Sequence, residues 1–85
     1  MKRDNGLIFQ ILEILETSER RSLKTNVIEK QLNSGGATYD VSLIAHHFDL
    51  ANDRGIIATT GDTHRITDAG HNALEAARQR GQVAL

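Results

Sequence analysis

The side chains with the most chemistry in this 85-residue chain are its four histidines, His46, His47, His64 and His71. A zinc site needs three or four convergent ligands, usually with Asp, Glu or Cys completing the set. His46 and His47 are consecutive, so on a helix they point about 100° apart and do not make the one-face pair that a spacing of four provides. Cysteine is absent, which removes thiolate ligands, disulfides and thiol nucleophiles. No metal and no other cofactor is expected. A Ser, His and Asp triad can be drawn from Ser42, His46 and Asp49, but one short helix offers neither a pocket nor oxyanion donors. The sequence therefore reads as that of a protein that is not an enzyme. The simpler expectation has His47 partly buried near Phe48 and Ala51 with a ring nitrogen hydrogen-bonded, His46 facing solvent, and His71 making a structural hydrogen bond.

The same segment carries the residue types of a duplex DNA contact. If the helix holding Ser42 enters a major groove, its outward positions are Ser42, Ala45, His46 and Asp49. Ser42 and His46 can donate to a phosphate or a base, whereas Asp49 suits only a cytosine amino group and is repelled by phosphates. The stretch "TTGDTHR" adds Thr60, Thr63, His64 and Arg65, with Asp62 working against them. Lys24 and Lys30, together with Arg20 and Arg21, are placed to hold flanking phosphates. The candidate DNA-binding set is Ser42, Ala45, His46, Lys24, Lys30, Thr63, His64 and Arg65. Four to six such contacts imply a log–log salt slope of roughly −4 to −5. Charge balance argues the other way: ten Lys and Arg against eleven Asp and Glu give −1, where a duplex-binding module usually shows a basic excess. Residues 35–66, which hold the reading helix, carry Arg54 and Arg65 against Asp40, Asp49, Asp53 and Asp62.

The elements that must position these residues follow from periodicity and local stops. Leu7, Ile8, Ile11, Leu12 and Leu15 predict an amphipathic helix from Leu7 to about Thr17, and Phe9 and Ile14 widen its apolar sector enough to imply cover on more than one side. Leu23 and Lys24 suit a very short strand, and Asn26 with Glu29 three positions on fits a capping box for a second helix that "NSGG" stops. Asp40 is expected to cap a third helix, with Tyr39 and Ile44 as a hydrophobic staple and Gly55 as its stop. "GIIAT" and "THRIT" flank "TGD" as a hairpin, and Thr67 caps a closing helix with a small-residue face of Ala69, Ala73, Ala76 and Ala77 beside Leu74. Leu12, Leu32, Ile44, Phe48, Ile57, Ile66 and Leu74 are expected to share one core, with Gly70 marking a close backbone crossing of another helix. This order predicts a mainly α fold with a small β wing, a winged helix-turn-helix domain over residues 1–80, and a short tail at 81–85 that frays or meets a protomer.

"MKRD" running into "LIFQILEILE", then "IAHHFDLANDRGII" and "HRITDAGHNALEAAR", resemble the small phage and bacterial family catalogued as domain-of-unknown-function family 2513. The resemblance lies chiefly in His47, Leu50, Asp53 and Gly55, and in Thr67, Gly70, His71 and Leu74. It implies a winged-helix fold in a phage or prophage setting, with no established activity. Gly6 and Ala51 depart from the family pattern, Ala51 by replacing a larger aliphatic side chain. Two functions follow as expectations. One is a DNA-binding transcriptional regulator; the other is a non-enzymatic protein-interaction or phage accessory module on the same scaffold, docking a phage or host protein. A homodimer through the closing helix is expected if Ala73 and Ala77 face outward. The acidic residues within the opening apolar segment do not suit a signal peptide, so a cytoplasmic protein without membrane contact is expected.

Overall fold

The computed structural model describes residues 5–18, 20–34 and 39–79. Its elements run α1 (Asn5–Thr17), β1 (Leu23–Lys24), α2 (Thr25–Asn33), α3 (Val41–Asp53), β2 (Ile57–Thr60), β3 (Thr63–Ile66) and α4 (Asp68–Gln79). Helices dominate, and the three short strands form one antiparallel sheet ordered β1-β3-β2. This is a helical domain with a β wing. The expected tail at 81–85 and the glycines of "NSGG" lie outside the described residues.

α1 is the centre of the core. Leu7, Ile8, Phe9, Ile11, Leu12 and Leu15 are all buried, and α2, α3, α4 and β3 all pack on it. A helix covered on several sides needs apolar residues beyond a single stripe. Leu23 from β1, Ile28 and Leu32 from α2, Ile44, Phe48 and Ala51 from α3, Ile56 and Ile57 at the start of β2 and Leu74 and Ala77 from α4 complete the cluster. Ile66 packs against that cluster but is only partly buried.

Local chemistry sets most boundaries. The Asp40 carboxylate accepts from the Ser42 amide at 2.9 Å and starts α3. At its other end Gly55, at φ 73, donates to the Asn52 carbonyl at 3.0 Å, and the Ile56 amide donates to Ala51 at 3.2 Å. These two bonds are a Schellman motif, which glycine enters without a Cβ penalty. The hairpin turns on Gly61 and Asp62, with Thr60 opposite Thr63. Gly61 at φ 60, with no positive φ at Asp62, matches a type II′ turn. Thr67 caps α4 by accepting from the Gly70 amide at 3.1 Å, while its hydroxyl donates to the Gly55 carbonyl at 2.6 Å. One side chain thus joins the end of α3 to the start of α4.

Three expectations are corrected. α2 begins at Thr25, with Lys24 as an N-cap that makes no side-chain capping bond, so the capping box at Asn26 is not formed. The cause is long-range: the Thr25 amide and hydroxyl both donate to the Asp62 carbonyl, at 2.8 and 3.1 Å. Gly70 is crossed by the entry to β2 rather than by a helix. A Cβ there would run into the Ile56 carbonyl and stand 2.7 Å from Ile66 Cγ1. Finally, Ala77 is fully buried and Ala73 packs against the core, while Ala69 is exposed and Ala76 half-buried, so Ala77 does not face outward as the dimer expectation required.

Candidate nucleic-acid interface

Strand periodicity sorts the wing into two faces. Leu23, His64 and Ile57 are buried, while Lys24 and Arg65 are exposed. The pairing Leu23↔His64, Lys24↔Thr63, Ala58↔Arg65 and Thr60↔Thr63 therefore gathers Lys24, Thr60, Thr63 and Arg65 on the outer face. Arg20, Ser22, Lys24, Val27 and Thr63 line a groove of about 540 Å³. An adjoining cavity of about 110 Å³ is lined by Arg21, Ser22, Thr60, Thr63 and Arg65, among others. Ser22 and Thr63 border both, so the two form one trough across β1 and β3. Among the described residues four cations line it and no carboxylate does.

None of these four cations makes a side-chain ion pair with a described residue. On the far side, Arg78 shows the contrast: it meets Glu16 at 2.8 Å and Glu13 at 3.6 Å. The hydrogen bond it donates to Glu16 holds its guanidinium above the ordinary arginine range. His71 lies 3.6 Å from Glu16, so its partner is a carboxylate on α1.

The inner face holds the wing to the core. His64 is 4% exposed, which corrects its expected place among surface contacts. Its ring stacks on Phe48 with centroids 4.0 Å apart and planes 6° apart. Nε2 lies 2.7 Å from the Thr25 hydroxyl and Nδ1 lies 2.9 Å from the Thr59 hydroxyl. Because Thr25 donates its proton to Asp62, the consistent arrangement has Nε2–H donating to Thr25 and Thr59 donating to Nδ1. Both nitrogens of a neutral ring are then satisfied. Burial pushes the His64 pKa below 6.5, with the Asp62 charge partly opposing.

α3 presents a different surface. Val41, Ser42, Ala45 and Asp49 are exposed along it, Asn52 and Asp53 continue that side, and Val41 is 61% exposed. No Lys or Arg lies within the helix. His46 is half-buried, its ring edge-on to His47 at 5.5 Å. His47 is wholly buried rather than partly so, with Nδ1–H donating to the Leu43 carbonyl at 2.8 Å. Lys30 lines an open groove on α2 with Asn26 and Glu29, and Val27 stands between that groove and the trough.

Of the eight sequence-derived candidates, the structure brings Lys24, Thr63 and Arg65 together. Ser42, Ala45 and His46 stand on α3, Lys30 stands on α2, and His64 is inside. Ser22 was missed, as was the cavity that Arg21 and Arg65 share, because both depend on β1 pairing with β3. Thr63 is partly committed already, its hydroxyl donating to the Thr60 carbonyl at 2.8 Å. Among the described residues no group of three or more His, Cys, Asp or Glu is arranged to hold a metal ion. No helix among them is long and apolar enough to cross a membrane. Comparison with protein-family models, with curated proteins and with solved structures returned no match.

Proposed function

We propose that this chain is a small DNA-binding winged-helix protein that acts in transcriptional regulation and grips the phosphate backbone with the outer face of its wing. The observation that carries the reading is the trough lined by Arg20, Arg21, Lys24 and Arg65, with no carboxylate among the described residues of its walls. A run of cations flanked by hydroxyls matches the backbone of a duplex, and such contacts position a protein without reading its bases. Base contacts in this reading come from Ser42 and His46 on α3, where Asp49 and Asp53 weaken general affinity. A low nonspecific affinity is therefore expected even for a specific binder. The phage or prophage setting rests on the sequence resemblance alone.

The test is selection from a random duplex library at about 100 mM salt, with affinities then measured for Arg65→Ala and His46→Ala. Arg65→Ala should weaken all sequences alike, and His46→Ala should erase any enriched motif. Four phosphate contacts predict a log–log salt slope of about −3 to −4. A second reading is favoured by the exposed Val41 and the absence of cations along α3: the helix docks a protein instead. Failure to enrich any motif, with recovery of one stoichiometric protein partner from the native host, would establish that reading over the first.

A further inference from the structure

Within the trough, the 110 Å³ cavity differs from the open groove beside it. Arg21 and Arg65, from a loop and from the central strand, line one small space together with Ser22, Ala58, Thr60, Thr63 and His64. The volume corresponds to three or four liquid waters at roughly 30 Å³ each, which suits one tetrahedral oxyanion. Both residues carry a fixed positive charge, and two such charges brought close repel each other unless an anion lies between them. Neither has a carboxylate partner among the described residues. Guanidinium forks match phosphate oxygens two at a time, and neighbouring hydroxyls supply further donors. The position is also held firmly, since the central strand is anchored beneath it by His64 stacked on Phe48.

We infer that this cavity is a discrete binding site for a single phosphate group, with Arg21 and Arg65 as its two arms and Ser22 and Thr60 as hydroxyl donors. The phosphate is that of a DNA backbone or of a free phosphate or phosphoester. The DNA source rests on the function proposed above; the free source does not. A backbone phosphate seated here sets the register of the duplex along the wing, while Arg20 and Lys24 follow the chain in the adjoining groove.

The experiment is an NMR titration of the full chain, following the Arg21 and Arg65 side-chain Nε–H and the Ser22 and Thr60 amides. Inorganic phosphate is added against sodium chloride of equal ionic strength. The expected result is saturable shifts confined to these groups, with Arg21→Gln and Arg65→Gln each weakening apparent affinity by about tenfold or more, as loss of a charge-assisted contact implies. Lys30→Gln should change nothing. Shifts that chloride reproduces, or that spread evenly to Lys30, overturn the site. A second arm uses a short random-sequence duplex. If phosphate saturates the cavity and the duplex moves none of its resonances, the phosphate site stands with a free ligand and the DNA function fails. If the duplex moves Arg20 and Lys24 while phosphate leaves Arg21 and Arg65 unmoved, the site is overturned and the DNA function survives.

Discussion

Phe48→Ala tests how the wing is held to the helices. Phe48 is 4% exposed and belongs to the same core as Ile44 and Ala51. Removing a buried Phe ring costs about 3–5 kcal/mol, including the cavity left behind. At 0.05–0.15 kcal/mol per residue, the whole fold is worth roughly 4–13 kcal/mol, so the variant loses a large share of it. For a domain of this size 1 kcal/mol moves Tm by about 4–8 °C, and the melting point should fall by at least about 12 °C. Tyr39 is the only Tyr and there is no Trp, which makes far-UV circular dichroism the natural probe. A second readout is specific to the stack. Burial is the main cause of the lowered His64 pKa, and opening the Phe48 face lets water reach the ring, so the His64 titration should move up towards 6.5 in Phe48→Leu, which keeps a folded core. A loss of one or two degrees in Phe48→Ala, or an unmoved His64 in Phe48→Leu, would refute the coupling.

Acid should loosen the same contact. The folded pKa of His64 lies below the unfolded 6.5; its share of stability is therefore fully present above about pH 6.5 and is lost as pH falls towards the folded value, because the unfolded chain takes up the proton first. Denaturation midpoints across pH 5–7 check this, and His64→Phe should flatten part of the slope. Gly70→Ala should destabilise: the gain in helix propensity is at most about 1 kcal/mol, whereas displacing the Ile56 carbonyl and the Ile66 side chain costs about 1–3 kcal/mol. A more stable Gly70→Ala protein in urea titration would show that the chain does not cross there.

What could be read from the sequence was whatever depended on near neighbours. Asp40, Gly55, the Gly61–Asp62 turn and Thr67 each act on backbone groups within a few residues, and each does so in the fold. The start of α2 was misplaced because Thr25 is committed to Asp62 and His64, which lie 37 and 39 positions away. Nothing local distinguishes that Thr from the Asn after it. For His64 a signal did exist. On a strand whose Ile66 faces the core, the residue two positions earlier shares the inner face, and Thr63 and Arg65 must point out. Thr63, His64 and Arg65 were grouped as contacts although "THRIT" was read as a strand, and applying the strand's alternation would have separated His64 from the other two. The trough was invisible because β1 contributes only two residues, too few to announce their partner. Gly70 was correctly marked as a close approach, but which backbone crosses it is a tertiary fact.

Asp49→Asn separates the two ways in which the domain can meet a duplex. Asp49 stands on the exposed side of α3 with Ala45 and Val41. If α3 enters the major groove, that carboxylate comes close to phosphates, and two like charges about 4 Å apart in water cost about 1 kcal/mol. Neutralising it should then tighten binding about fivefold. If the wing carries the contact, Asp49 lies beyond the first layer of phosphates, where screening over about 8–10 Å at physiological salt removes most of its effect. The wing reading expects Asp49→Asn to alter affinity by less than about twofold, while Arg65→Ala weakens every duplex. Fluorescence anisotropy with one labelled duplex at two salt concentrations measures both variants. A fivefold gain for Asp49→Asn with no loss for Arg65→Ala would place α3, and not the wing, against the DNA. The same pair of substitutions also exposes a protein-docking α3: neither would then change duplex binding, while Asp49→Asn would alter capture of the partner.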